Sequence, residues 1–234
     1  MTLELLYPEV CNLFGDLFNM EYLRRCLPEA SLRQTGLTQA PLFLQEDVAL
    51  VCMAPMTEHS QELVIRRLLP HRNRIAELIK SGTVFLFTGN AMEVLYRYIE
   101  TAEGRKIPGL DLLPCYAKQN PMHRINSVFL GEFRGEPITG FKTQFTQAYP
   151  DPGAQQFMTR LKGMGMNEHC DFEGFHVHNF FGTYLTGPLL ILNPPFTQYL
   201  LGLLGQPPTP LPFQEAVTAA YRERLEDYRQ KIHK

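Results

Sequence analysis

Two short runs of almost uninterrupted apolar residues constrain the fold most strongly. They are "VALVCM", Val48–Met53, and "TVFLF", Thr83–Phe87. A strand that is apolar at nearly every position is typical of a sheet covered on both faces, and such sheets are built from parallel strands joined by helices. "LELLY", Leu3–Tyr7, has the same character. We therefore expect an α/β fold.

Helical patterns lie between and after these runs. The segment "GDLFNMEYLRRCL" has apolar residues at helical spacing, and residues 60–80 are helical on either side of Pro70, where we expect a break before Gly82. A last amphipathic helix, with an apolar stripe from Phe213 to Ile232, follows a Pro-rich linker at residues 205–212. The simplest account is one domain spanning residues 1–234.

The middle of the chain has a different character. Residues 106–149 are rich in Gly, Pro and short β-prone runs such as "INSVFLGEF" and "ITGFKTQF". These runs predict hairpin or edge strands added to the main sheet. Further on, "FHVHNFFGTYL" predicts a final strand that runs into a loop.

Composition excludes several classes of partner. The net charge is 22 − 24 = −2, so no electrostatic feature favours nucleic acid or an anionic membrane. No stretch is apolar and long enough to span a bilayer. The five cysteines are an odd number, widely spaced and without a CxxC pair, which is typical of reduced thiols. These features predict a cytoplasmic protein, and no motif indicates a cofactor.

One stretch has the form of an active-site turn. In "TVFLFTGNAMEVLY", Thr83–Tyr96, an apolar strand meets a tight turn, and a helix-like segment begins near Ala91. Strand, sharp turn and helix is the geometry that presents a nucleophile above an α/β sheet. The turn itself is Thr88-Gly89-Asn90 and contains neither cysteine nor serine. An unrelated α/β domain with such a turn is the alternative.

Separate stretches, in order along the chain, resemble one family. They are "LYPEVCNLFGDLFNMEYLRR", "APMTEHSQ", "IPGLDLLPCY" with "ITGFKTQF", and "FGTYLTGPLLILNPPF". Together they resemble the class I glutamine amidotransferases of the cobyric acid synthase type, and within these the small glutaminase subunit of lipid II isoglutaminyl synthase. The resemblance implies a three-layer α/β sandwich of the flavodoxin-like type with added antiparallel strands.

The residues that carry the family's chemistry differ in this chain. In the family a cysteine at the turn attacks the amide of glutamine, a histidine activates it, and backbone N–H groups hold the oxyanion. Aligning "GNAMEVLY" with the family's motif puts Gly89 at the nucleophile, and the family's histidine aligns with Thr186. Pro55, in the loop that should help hold the oxyanion, has no N–H to donate. The resemblance thus implies an amidotransferase fold without glutaminase activity.

The main functional hypothesis is a silent subunit that binds a Mur-ligase-like partner, in cell-envelope (peptidoglycan) or cobalamin-type amidation. The alternative is an active amidotransferase or hydrolase with relocated catalytic groups, acting on glutamine or a related small molecule. In either case we expect a polar pocket at the carboxyl ends of the strands. The candidate pocket residues are Thr57, Glu58, Gln61, Thr88, Asn90, Glu93 and Thr183.

A small-ligand or metal-binding sensor is the third hypothesis. If "FHVHN" is a strand, His176 and His178 project from the same face, because side chains alternate along a strand. That spacing suits a shared divalent metal, with Cys170 or Asp171 reaching in from the loop. The set matches no specific metal motif, so we predict no metal and keep this pair as an alternative.

Overall fold

The structure, a computed structural model, describes residues 1–231, so Ile232 of the predicted apolar stripe lies outside the described residues. The helices are α1 (Phe18–Cys26), α2 (Glu58–Leu68), α3 (Arg72–Ser81), α4 (Leu189–Leu192), α5 (Pro194–Leu203) and α6 (Gln214–Lys231). The first strands are β1 (Thr2–Leu6), β2 (Ser31–Thr35), β3 (Leu50–Met53), β4 (Val84–Thr88), β5 (Tyr98–Glu100), β6 (Lys106–Pro108) and β7 (Cys115–Gln119). The remaining strands are β8 (Ile125–Phe133), β9 (Glu136–Gln144), β10 (Thr146–Pro150), β11 (Gln156–Lys162), β12 (Phe172–Val177) and β13 (Phe180–Thr183).

Nine strands form the main sheet, in the order β2-β1-β3-β4-β13-β12-β11-β8-β9. The first five are parallel, and the strands from β13 to β9 pair antiparallel. The predicted α/β class with added antiparallel strands is therefore confirmed. The β8–β9 hairpin is the predicted addition at the sheet edge.

Helices cover both faces of the parallel strands. On β3, Val51 and Met53 pack in one buried apolar cluster with residues of α2 and α3, whereas Leu50 and Cys52 pack in a second cluster with residues of α1, α4 and α5. Every residue of β3 and β4 is buried. This is the three-layer arrangement that the continuous apolar runs predict. No helix within residues 1–231 is both long and apolar enough to cross a membrane.

The helix breaks lie where proline and glycine predict them. Pro70 lies in a 3-10 turn, Leu69–His71, between α2 and α3, and Gly82 ends α3 with a left-handed φ of 92°. The last helix, α6, follows the Pro-rich segment, but Phe213 precedes it and is 59% exposed. Phe213 was therefore wrongly assigned to the buried stripe of this helix.

Three other elements differ from the sequence predictions. The predicted final strand is two strands, β12 and β13, joined by a tight turn at His178 and Asn179. The helix-like segment after the glycine turn is a 3-10 helix, Gly89–Leu95. Strand β2 gave no apolar signal because it is a largely polar edge strand.

A second, four-stranded sheet in the order β10-β7-β5-β6 was also not predicted. Its strands are short, and its Tyr98, Tyr116 and Tyr149 stack across neighbouring strands with ring centroids 5.2 and 5.1 Å apart. Cross-strand aromatic pairs of this kind stabilise small sheets. Tyr98, Tyr116 and Tyr149 are far apart in the sequence, so no local pattern shows that their strands pair.

The outer edge of β9 is covered by the chain's own groups. The buried Asn193 side chain accepts from the Thr139 N–H (2.8 Å) and donates to the Thr139 carbonyl (3.0 Å). The Thr186 N–H donates to the Phe141 carbonyl (2.8 Å), and the Tyr221 hydroxyl donates to the Pro137 carbonyl (2.6 Å). Unpaired strand edges can pair with strands of other chains, so these contacts protect the edge of β9 from such pairing.

We predict that Asn193→Ala lowers the free energy of unfolding by about 2–4 kcal/mol. The change leaves the buried N–H and C=O of Thr139 without partners, and each such group costs about 1–3 kcal/mol. Urea denaturation measures the loss. The control is Asn126→Ala on β8, whose exposed side chain is bonded to Thr143, with an expected change within about 1 kcal/mol. Equal losses in both variants would contradict the assigned role.

Candidate functional site

A sharp turn follows the carboxyl end of β4. Thr88 ends the strand in an extended conformation, and Gly89 has a φ of +57°, in the left-handed region that glycine adopts without strain. The 3-10 helix then leads away from the sheet. This is the strand–turn–helix geometry that the sequence predicts, with Gly89 at its tip.

Pro55 packs directly against Gly89. A Cβ atom built on Gly89 would lie 2.6 Å from the Pro55 Cγ and 2.7 Å from its Cβ. The same Cβ would lie 3.4 Å from the Thr186 Cγ2. The two positions that the alignment assigns to the nucleophile and the histidine are thus neighbours, and the space above Gly89 is filled by the proline ring.

Asn90 locks the turn to the loop that follows β3. Its Oδ1 accepts from the Met56 N–H (3.0 Å), and its Nδ2 donates to the Met56 carbonyl (2.9 Å). Both backbone groups of Met56 are therefore used within the chain. With Pro55 beside it lacking an N–H, this loop keeps no donor at these two positions for an oxyanion.

A cavity of about 210 Å³ opens beside the turn. Of the predicted pocket residues, Thr57, Glu58 and Asn90 line it, together with Gly89. Most of the other lining residues come from distant segments and were not predicted from the sequence. These additional residues are Leu13, Phe14, Met56, Arg124, Thr143, Gln144, Phe145, Thr146 and Tyr184.

Two wall residues have features that mark them out. Phe14 is 42% exposed and has a φ of 60°, a left-handed conformation that is strained for an aromatic residue. The Arg124 guanidinium lies 5.0 Å from the centroid of the Phe145 ring. Glu58 brings a carboxylate to the same cavity, so the wall carries both signs of charge.

Glu93 and Gln61 lie beneath the cavity and support the turn. Gln61 Nε2 donates to the Asn90 carbonyl (2.7 Å) and to a Glu93 carboxylate oxygen (2.9 Å). Glu93 also accepts from the hydroxyls of Thr146 (2.5 Å) and Tyr184 (2.7 Å). Burial raises the pKa of Glu93, and these three donors act against that rise. Glu93 is fully buried, so its role here is structural.

Thr183 and Thr88 do not line the cavity. The Thr183 hydroxyl donates to the buried Glu173 (2.5 Å), which also lies 3.7 Å from the ammonium of the buried Lys142. The Thr88 hydroxyl is buried on the side of Asp16 and completes no hydrogen bond within residues 1–231. Neither threonine is therefore presented to a ligand in the cavity.

Asp16 is a buried carboxyl behind the turn. Burial raises its pKa to about 8, although Thr88 and the backbone of Gly187 are close enough to lower it. Neither carboxyl oxygen completes a hydrogen bond with another group of residues 1–231. Asp16 therefore holds its proton to a higher pH than an exposed aspartate does.

The structure does not place His176 and His178 on one strand face. His176 is on β12 and stacks on Phe181, with centroids 4.5 Å apart, and burial lowers its pKa. His178 lies in the following turn with a φ of 53°, so the period-two alternation ends before it. Among residues 1–231 no group of three or more His, Cys, Asp and Glu side chains could hold a metal ion. The shared-face expectation for this pair was wrong.

Two curated relatives share a description. The chain is 25% identical over 194 residues to the lipid II isoglutaminyl synthase (glutamine-hydrolyzing) subunit GatD of Staphylococcus aureus (strain N315), covering 81% of this chain and 78% of the relative. It is 25% identical over 142 residues to the subunit of the same name from Streptococcus pneumoniae (strain ATCC BAA-255 / R6), covering 58% of this chain and 53% of that relative. No family profile matches the chain.

Solved structures decide the fold. A crystal structure described as a glutamine amidotransferase matches with a TM-score of 0.57 and 13% identity, covering 87% of this chain and all of that chain. A second glutamine amidotransferase, from Thermotoga maritima, matches with a TM-score of 0.54 and 14% identity, covering 99% of this chain and 86% of that chain. The fold is that of the glutamine amidotransferases. At these identities the likeness establishes the architecture alone.

We predict that Gly89→Ala lowers the free energy of unfolding by about 2–4 kcal/mol. About 1–2 kcal/mol comes from the left-handed backbone and the rest from the clash with Pro55. Gly153→Ala is the matched control, because Gly153 has a φ of 80° and open space around its Cβ position. Thermal or urea unfolding should show the smaller loss for Gly153→Ala.

The clash can be isolated with Pro55→Gly, which removes both proline atoms nearest to the Gly89 position. Against that background, Gly89→Ala should cost less by about 1–2 kcal/mol, because only the backbone strain remains. Purely additive losses in this double-mutant cycle would show that Pro55 does not restrict the turn.

We predict that Asp16→Asn removes part of the pH dependence of stability. Between pH 3.8 and about 8 the unfolded chain ionises this carboxyl while the folded chain keeps it protonated. The wild type therefore loses up to about 1.4 kcal/mol per pH unit through this group as the pH rises across that window. The variant has no such loss, so its advantage should grow up to pH 8. Parallel stability curves for the two proteins would contradict this.

Proposed function

We propose that this chain is a glutamine amidotransferase-like subunit without glutaminase activity that binds a Mur-ligase-like partner. The observation that carries the proposal is the contact between Pro55 and the Cβ position of Gly89, at 2.6 Å. Glutaminase chemistry of this fold needs a side chain at the tip of the turn. The proline ring occupies the space that such a side chain would need.

The neighbouring groups support the same proposal. A nucleophile needs a base within hydrogen-bond reach, and the residue beside Gly89 is Thr186, whose hydroxyl is directed to the Phe141 carbonyl (3.3 Å). The Met56 N–H is bonded to Asn90, so it is not free to stabilise an oxyanion. Three features of one turn therefore act against amide hydrolysis.

Relocated catalytic groups are the alternative, and the three buried thiols argue against it. Cys11, Cys52 and Cys115 are buried, and burial raises the pKa of each thiol well above its usual range. A protonated, inaccessible thiol is a poor nucleophile. The Thr88 hydroxyl is equally sealed, since Thr88 is 1% exposed.

The partner is inferred from the relatives. Both are described as subunits of lipid II isoglutaminyl synthase, and the likeness to the Staphylococcus aureus protein extends over most of both chains. We infer that this chain also works within an amidating assembly of cell-envelope synthesis, with the ligase activity on its partner. A cytoplasmic setting follows from that role.

A small ligand is the second part of the proposal. The cavity of about 210 Å³ is large enough for glutamine or a related small molecule, and Glu58 and Arg124 place opposite charges on its wall. In a silent subunit such a ligand would be bound without being hydrolysed. The cavity would then serve to sense the ligand or to steady the assembly.

The test is release of ammonia from glutamine, measured for the chain alone and co-expressed with a Mur-ligase-like protein. We expect no release in either case, together with co-purification of the two proteins. Release by the wild type would overturn the silent role, and failure to co-purify would overturn the partner.

A gain-of-function arm tests the site itself. Gly89→Cys with Thr186→His restores the family's side chains, but the structure predicts that this pair stays inactive because Pro55 blocks the thiol. Adding Pro55→Gly should permit measurable release. Equal activity of the double and triple variants would contradict the blocking role of Pro55.

A further inference from the structure

A second concave site lies on the other side of β1 from the glycine turn. It is a groove of about 410 Å³ between the loop after β2 and the end of α2 with its 3-10 turn. We call it the arginine groove, and its polar walls include Tyr7, Gln39, Arg66, Arg67 and His71. None of these residues lines the cavity beside Gly89.

Tyr7 is the unusual member of this set. It follows β1 with a φ of 54°, a conformation that is strained for an aromatic residue, and its side chain is 0% exposed although it lines the groove. Its backbone is fixed, because its N–H donates to the Thr35 carbonyl (2.7 Å) and its carbonyl accepts from Cys11 (2.8 Å).

The Tyr7 hydroxyl has no hydrogen-bond partner among residues 1–231. A buried hydroxyl without a partner is costly, since the lost hydrogen bonds to water are not replaced. Burial raises the pKa of Tyr7, and the charge of Arg67 acts in the opposite direction. The hydroxyl therefore keeps its proton, and it can donate only to a molecule that enters the groove far enough to reach Tyr7.

The two arginines of the groove lack a close carboxylate partner within residues 1–231, although the charges of Glu4 and Glu9 also act on Tyr7. Neither Arg66 nor Arg67 forms an ion pair with a carboxylate of the described chain. Arg67 uses its Nε to donate to the Leu37 carbonyl (2.6 Å), which holds the guanidinium against the loop. Glu62, one turn before Arg66, is bonded to Arg105 instead (2.6 and 3.2 Å).

We propose that the arginine groove binds a small phosphate-bearing molecule, with Arg66 and Arg67 pairing with the phosphate oxygens and the Tyr7 hydroxyl donating from the inner wall. Guanidinium groups match phosphate oxygens in geometry and keep their charge at all physiological pH values. The groove brings together donors from the residue after β1, from α2 and from the His71 turn, and a tetrahedral dianion can accept from several donors at once. The proposal is independent of the role assigned to Gly89 and Pro55.

The experiment titrates inorganic phosphate into the full-length protein at constant ionic strength and follows backbone amide shifts by NMR. We expect saturable shifts confined to Tyr7 and to residues 38–41 and 66–71. Arg66→Gln should weaken phosphate binding about tenfold or more, since a hydrogen bond to a charged group contributes about 1.5–3 kcal/mol. Arg24→Gln is the control, because Arg24 is an exposed arginine paired with Glu21 at 2.7 Å on α1; its affinity should be unchanged.

Tyr7→Phe gives an independent test, because it removes only the hydroxyl and keeps the ring that packs in the core. Weaker phosphate binding by a folded Tyr7→Phe protein supports the proposal. It is overturned if the wild type shows no saturable shifts at the groove, or if Arg66→Gln and Arg24→Gln bind alike. Acetate that binds as tightly as phosphate would overturn the assignment to phosphate.

Discussion

The buried carboxylate of Glu93 is the interaction on which the shape of the glycine turn depends. It accepts hydrogen bonds from Gln61 on α2, from Thr146 on β10 and from Tyr184 after β13. Gln61 also donates to the Asn90 carbonyl, and the Asn90 side chain is hydrogen-bonded to the N–H and the carbonyl of Met56. A carboxylate in this position is costly to bury, and only its full set of donors makes it acceptable. The turn is therefore held from below by polar contacts and from above by Pro55.

The groups around this turn differ from those that an active site of this fold needs. In an active site of this fold the same space holds a nucleophile, a base and free backbone donors. Here it holds the ring of Pro55 and the methyl group of Thr186. The side-chain amide of Asn90 accepts from the Met56 N–H, so this backbone donor is already used. The cavity beside it remains open. The proposed function, recognition of a partner or of a small molecule without turnover, rests on this difference.

The sequence was enough to predict the parts of the fold that depend on interactions between neighbouring residues. The two-sided burial of β3 and β4 follows from their continuous apolar runs, and the break at Pro70 follows from proline chemistry. Strand β2 was not predicted, because an edge strand needs no apolar pattern. His176 and His178 were wrongly expected on one strand face, because a turn at His178 ends the alternation of side chains along the strand.

The walls of the cavity show a different limit. Gly89 and Asn90 could be found because a turn after an apolar strand is a local signal, but Arg124 and Phe145 come from the β8–β9 region and meet the turn only through the tertiary fold. Asp16 gave no signal, since its raised pKa arises from burial that no local pattern shows. The role of Pro55 was inferred from its missing N–H, whereas the structure adds the steric contact.

The contact between Pro55 and Gly89 also constrains how the chain can change over evolutionary time. A substitution at Gly89 meets the proline ring first, whatever the new side chain is. A prior substitution at Pro55 would remove the clash that a new side chain at the tip of the turn meets. Replacement of Gly89 should therefore be tolerated best in chains where Pro55 has already been replaced.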